Sequence, residues 1–139
     1  MKRSILFLIF TSFLAITSCG PSGPSENELL RAEVIAVHDE VMPKIGQLKS
    51  LERKALEKVK ELESEEPVDS VKIITFKSLA YDLNQADEAM FDWMHQYDTE
   101  DGEKTEEELK QYLDEQMVLI TKVNVDMKAA LEKANKALN

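Results

Sequence analysis

The chain has 139 residues and a formal charge of −10, with 32% charged and 6% aromatic residues. Four Gly and four Pro are too few for a loop-rich, disordered or all-β chain of this length, and a length of this order holds one domain. The single Cys excludes an internal disulfide framework or a thiolate zinc site, and the acidic balance excludes the basic surface that nucleic-acid binding requires.

The first eighteen residues read as an address rather than as fold. Lys2 and Arg3 form a short basic region, and Ser4 to Ile16 is apolar apart from Ser and Thr. That run is shorter than the about 20 apolar residues a membrane-spanning helix needs, so it reads as a secretory signal peptide over 1–18. Ile16-Thr17-Ser18-Cys19 then resembles the lipobox of bacterial lipoproteins: an aliphatic residue, two small ones and Cys. The resemblance implies cleavage before Cys19 and acylation of it, with the membrane as the partner through that lipid. Loss of Lys2 and Arg3 on cleavage takes the formal charge from −10 to −12, so the lipid rather than the protein surface must do the anchoring. Gly20 stands where an inner-membrane retention Asp would, and no acidic cluster follows Cys19 directly. These two absences point to the periplasmic face of an outer membrane.

Residues 19–24 form a short tether ending in Gly20-Pro-Ser-Gly-Pro24, and an all-α bundle is expected over 25–139. A first helix is expected over 25–63. Ser25 and Glu28 make a capping box ahead of Leu30, Val34, Val37, Val41, Ile45, Leu48, Leu51, Ala55, Val59 and Leu62, a stripe recurring every three or four residues. Pro43 lies within that stripe, lacks an N–H and crowds the carbonyl of Asp39, which predicts a kink. Pro67 ends the helix. A second helix over about 69–98 carries Phe76, Leu79, Leu83, Ala86, Met90, Trp93 and Tyr97. The rhythm fails around Gly102, and Thr105 with Glu108 forms a second capping box for a third helix over 105–138. That helix carries Leu109, Leu113, Ile120, Val123, Met127, Ala130 or Leu131, Ala134 and Leu138. Short turns make neighbouring helices antiparallel, so the expected fold is an elongated, coiled-coil-like three-helix bundle.

Two segments, His38-Asp-Glu-Val-Met-Pro-Lys-Ile-Gly46 and Met90-Phe-Asp-Trp-Met-His95, resemble small Bacteroidota lipoproteins that carry the label "viral A-type inclusion protein". The resemblance spans the first two helices, about half the chain. It implies a helical lipoprotein and supplies no activity, substrate or catalytic residue.

Enzyme motifs are missing from the sequence. His38-Asp39-Glu40 lacks the HExxH spacing, and Asp92-x-x-His95 has the spacing of a di-iron ligand pair in a chain with only two His. The acidic turns around 61–69 and 98–108 lack the alternating ligands of an EF-hand and read as solvated surface. No catalytic residue and no cofactor is expected. One constellation does carry chemistry. If the first two helices meet at a turn near residue 66, His38 is level with Met94 and Met42 with Met90. Imidazole and thioether are ligands for Cu(I), so His38, Met42, Met90 and Met94 form a candidate soft-metal layer. The competing reading is packing, since Met fills irregular core gaps beside a kink. With Met90 and Trp93 in the seam, Met94 flanks it and His95 faces out. The expected function is that of a lipid-anchored, non-enzymatic envelope protein acting through helix faces, on an envelope partner or on itself. The alternative is a soft-metal-binding lipoprotein.

Overall fold

A computed structural model describes residues 23–138. The chain forms α1 (Glu26–Val41), a 3-10 turn (Met42–Lys44), α2 (Ile45–Glu63), α3 (Ser70–Gln96) and α4 (Glu106–Leu138). There is no strand among the described residues. The fold is an all-α bundle, as the repeats require. The expected signal peptide over 1–18 and the acylation position Cys19 lie outside the described residues.

The expected first helix is two helices. Pro43 sits at the start of the 3-10 turn, where its missing N–H breaks the ladder that would have run through Asp39. Both sides keep helical dihedrals, so the chain passes through the break without a loop. The break divides the packing. α1 lies mainly against α4, while α2 lies mainly against α3 and to a smaller extent against α4.

Helix ends follow their local chemistry. Ser25 caps α1 with a complete capping box, its hydroxyl accepting from the N–H of Glu28 at 3.2 Å and its own N–H donating to the Glu28 carboxylate at 2.6 Å. Asp69 caps α3 by accepting from the N–H of Lys72 at 3.0 Å. Thr105 repeats the box before α4, with its N–H 2.8 Å from the Glu108 carboxylate. Gly102 adopts φ 62°, a left-handed conformation in which any Cβ is strained, and so turns the α3–α4 loop.

The main core runs the length of the bundle through Val34, Val41, Leu48, Leu79, Leu83, Met90, Ile120 and Met127. A separate small cluster, Val59, Leu62 and Ile73 with half-buried Phe76, closes the α2–α3 end. Of the expected first-helix stripe, Leu30, Val37 and Ile45 are half-buried and the other seven positions are buried.

Polar bonds fix the register where apolar packing alone allows sliding. Asn27 donates to the Glu106 backbone carbonyl at 3.0 Å and carboxylate at 2.8 Å. Asn124 donates to the Val37 carbonyl at 2.9 Å and to Glu40 at 3.0 Å, and Lys128 closes on the other Glu40 oxygen at 2.5 Å. Lys49 of α2 meets Asp87 of α3 at 2.7 Å and donates to Asn84 at 3.2 Å. A buried amide left without its partner costs about 1–3 kcal/mol, so a one-residue slip is penalised at several levels of the bundle at once.

The hydrogen bonds from Lys128 and then Asn124 hold the Glu40 carboxyl below its ordinary value. Glu40 therefore binds its proton more weakly in the folded chain than in the unfolded one. Its contribution to stability is complete above the ordinary carboxyl range and is lost as pH falls through its lowered value. The gap in melting temperature between wild type and Glu40→Gln, followed by circular dichroism, is expected to be open at neutral pH and to close below about pH 4.

Candidate functional site

His38 and Met42 lie in the last turn of α1 and at the start of the 3-10 turn, and Met90 and Met94 in the last two turns of α3. Met90 is fully buried, and Met42 and Met94 are half-buried, all three packed in the main core. His38 is reached through Trp93: the two rings stand 5.5 Å apart at 31°. The expected register put His38 level with Met94, one residue away from the contact it makes. Trp93 is buried, Met94 flanks it and His95 is exposed, as the heptad assignment requires.

The imidazole has two different sides. Nδ1 lies 2.8 Å from the Asp39 carboxylate, which accepts a hydrogen bond from it and so puts the ring proton on Nδ1. In the neutral ring Nε2 is then an acceptor. It is buried without a hydrogen-bond partner among the described residues, and so is the Trp93 indole N–H, a donor. Each unpaired group carries a desolvation cost of about 1–3 kcal/mol. Among the described residues no three His, Cys, Asp or Glu side chains gather as a metal site. Any metal held here would rest on thioether sulfur plus one imidazole nitrogen.

Sequence reasoning missed what continues below Trp93. Trp93 stacks on Tyr97 at 4.7 Å and Tyr97 on Tyr112 at 6.2 Å, joining α3 to α4. Arg31 lies over the Tyr97 ring at 5.8 Å and Lys104 over Tyr112 at 5.1 Å, within cation–π range. The Arg31 guanidinium donates to the Tyr97 hydroxyl at 3.1 Å, the Asp98 carbonyl at 2.9 Å and Asp101 at 2.5 Å. The Tyr112 hydroxyl accepts from the Asp98 N–H at 2.5 Å. Burial pushes the Tyr97 hydroxyl up against the pull of Arg31, which keeps the phenol neutral as a hydrogen-bonding group. This aromatic ladder ties the α3–α4 loop to α1. The helical spacing of Trp93 and Tyr97 was a visible signal; the matching Arg31, 66 residues away, was not.

A buried carboxylate, Asp87, was also missed. One oxygen meets Lys49 and the other is buried without a partner among the described residues. Hydrogen bonding to Asp87, against the cost of burial, raises the Lys49 ammonium above its ordinary value. With one cation and no nucleophile beside it, the pair serves α2–α3 alignment.

Neither a family model, nor a curated protein, nor a solved structure matches this chain.

The layer is first of all a packed one, which gives a graded expectation. Met90→Ala removes a fully buried side chain and is expected to cost about 2–5 kcal/mol in urea unfolding. Met94→Ala and Met42→Ala, half-buried, are expected to cost less than Met90→Ala in the same measurement.

Proposed function

We propose that this chain is a lipid-anchored cell-envelope protein, held through Cys19 on the periplasmic face of an outer membrane, and that it works without catalysis as an interaction or structural module. The observation that carries the reading is the sequence Ile16-Thr17-Ser18-Cys19 behind a basic and then apolar leader, with the chain's single Cys at the acylation position. Two further features support it. No helix among the described residues is long and apolar enough to cross a membrane, so an integral helical anchor is not available from the bundle. In sequence, the capped start of α1 at Ser25 follows Cys19 by six residues, a spacing that suits a short tether. Two or three acyl chains, at about 0.8 kcal/mol per buried methylene, anchor such a domain without help from its acidic surface. Metabolic palmitate labelling tests this directly. Wild type is expected to label and Cys19→Ala to remain unlabelled; equal labelling of both removes the reading.

A second reading, Cu(I) binding by His38, Met42, Met90 and Met94, draws on the bare, buried Nε2 of His38 beside a methionine-rich core. The full burial of Met90 favours packing instead, because a metal would have to displace core contacts to reach its sulfur. Anaerobic Cu(I) titration separates the two. A ligand that binds only the folded state raises the melting temperature by mass action. The expected result is no shift; a rise abolished by both His38→Ala and Met94→Ala reverses the order of the two readings.

A further inference from the structure

α1 has the least apolar burial of the four helices. Of its 16 residues only two apolar ones, Val34 and Val41, are buried, against five in the 19 residues of α2. Ile35 and Val37 add half-buried contact with the core. Much of the remaining attachment is polar. Asn27 and Arg31 donate to Glu106 and to the α3–α4 loop, while Asn124 and Lys128 of α4 donate to Val37 and Glu40. Water replaces such bonds when two helices separate, whereas it does not replace buried apolar contact. The underside of α1 also carries a cost that separation removes. His38 Nε2 and the Trp93 indole N–H, on rings 5.5 Å apart, are buried without partners among the described residues, and both reach water once α1 leaves α3. At its C-terminal end α1 runs into the 3-10 turn Met42–Lys44, which has no side-chain cap and lacks the Pro43 N–H. A 3-10 stretch inside a helical run is a natural hinge. The other helices keep partners without α1, since α2 lies on α3 and α4, and α3 lies on α4.

We propose that α1 is a strap that undocks from α3 and α4 as one helix about the 3-10 turn at 42–44, while α2, α3 and α4 stay folded. The open state is the minor one, because Val34 and Val41 leave the core to reach it. Opening uncovers Trp93 and the side of α4 that α1 otherwise shields, and it frees the α3–α4 loop from Arg31. This motion does not depend on acylation of Cys19. Resting on the lipid-anchored reading, it has one further consequence. α1 then becomes an arm of about 24 Å between the tether and the remaining helices, so the body gains reach while it stays on the membrane.

The test is amide hydrogen exchange, resolved by peptide, on the full chain in mild detergent. Cys19→Ser is carried throughout so that introduced thiols stand alone. Amides over 30–41 are expected to exchange together and faster than those over 48–58 of α2 and 79–93 of α3. Val59→Ala separates this motion from unfolding of the whole bundle. Val59 is buried in the small α2–α3 cluster, which stays intact when α1 opens. The substitution is expected to speed exchange over 48–58 about tenfold and to leave 30–41 unchanged. A lock gives the converse. The exposed Glu26 and Lys110 side chains meet at 3.9 Å, so Glu26→Cys with Lys110→Cys, joined by a short bismaleimide, pins α1 at the end opposite its hinge. Joining is expected to slow 30–41 toward the rate of 48–58, relative to the same variant left unjoined. Three results overturn the proposal: equal exchange over 30–41 and 48–58 in the parent chain, acceleration of both by Val59→Ala, or exchange over 30–41 that joining leaves unchanged. A rate that declines steadily from 30 to 41 also overturns it, since that pattern is fraying from the helix end rather than release of one unit.

Discussion

Pro43 is the constraint from which the rest of the packing follows. An unbroken helix over 26–63 would present one straight stripe, and a straight stripe has to choose its neighbour or share both neighbours weakly along its length. Losing a single backbone donor at residue 43 costs part of one turn and lets the segments on either side settle on different partners. α1 takes α4 and α2 takes α3. The residues flanking the break are suited to it. Met42, with three rotatable bonds, fills the space beside the turn, and Ile45 starts α2 already packed on the core. Gly46 has open space around its Cβ position and exerts no steric demand there, so the break rests on Pro43 and the 3-10 turn.

The division of partners creates two unlike ends. At the end holding Ser25, α3 has already stopped at Gln96, and the loop from Asp98 to Lys104 occupies the third side of the α1–α4 pair. That loop is acidic and would be repelled by the rest of an acidic chain. Arg31 resolves this with three hydrogen bonds to it, to a phenol, a backbone carbonyl and a carboxylate, and with its guanidinium over an aromatic ring. Asn27 does the same for the first turn of α4, whose three successive glutamates suit the helix dipole but need a neighbour to fix their position. At the other end α2 and α3 close on a small cluster of their own, with exposed valine and isoleucine above it. One end is pinned by Arg31 and Asn27, and the other closes on a small apolar cluster beside an acidic turn, where Lys77 meets Glu63 at 2.9 Å.

What could be read from the sequence follows from how local each determinant is. The capping boxes at Ser25 and Thr105, the break at Pro43 and the turn at Gly102 depend on residues within four positions of one another, and each appears in the structure. The seam positions Met90 and Trp93 follow from periodicity alone, and even the level of His38 opposite the end of α3 came within one residue. What escaped are the features that depend on two distant residues meeting. Arg31 reads as one more surface cation until Tyr97 and Asp101 are beside it. Asn27, Asn124 and Asp87 occupy positions that a hydropathy pattern assigns to solvent, yet all three are buried, because each has a specific polar partner on a neighbouring helix. Composition is blind to such pairs, because the same residues in any other register would be exposed.

The unpaired groups show the same logic from the side of cost. Four buried side-chain atoms lack partners among the described residues: a nitrogen of His38, the indole N–H of Trp93, the second oxygen of Asp87 and, on α4, the Gln116 carbonyl oxygen; the first three lie on α3 or against it. A bundle packed only for stability would place apolar residues at those positions. His38 and Trp93 meet near the break, and each has an apolar ring body that packs while its polar atom goes unpaired. The methionines complete the same layer by flexibility rather than by shape, which is why burial of Met90 and orphaning of His38 occur side by side. The layer is the joint of the bundle. Its composition answers first to the geometry of that joint, and a ligand is not needed to account for why these residue types are there.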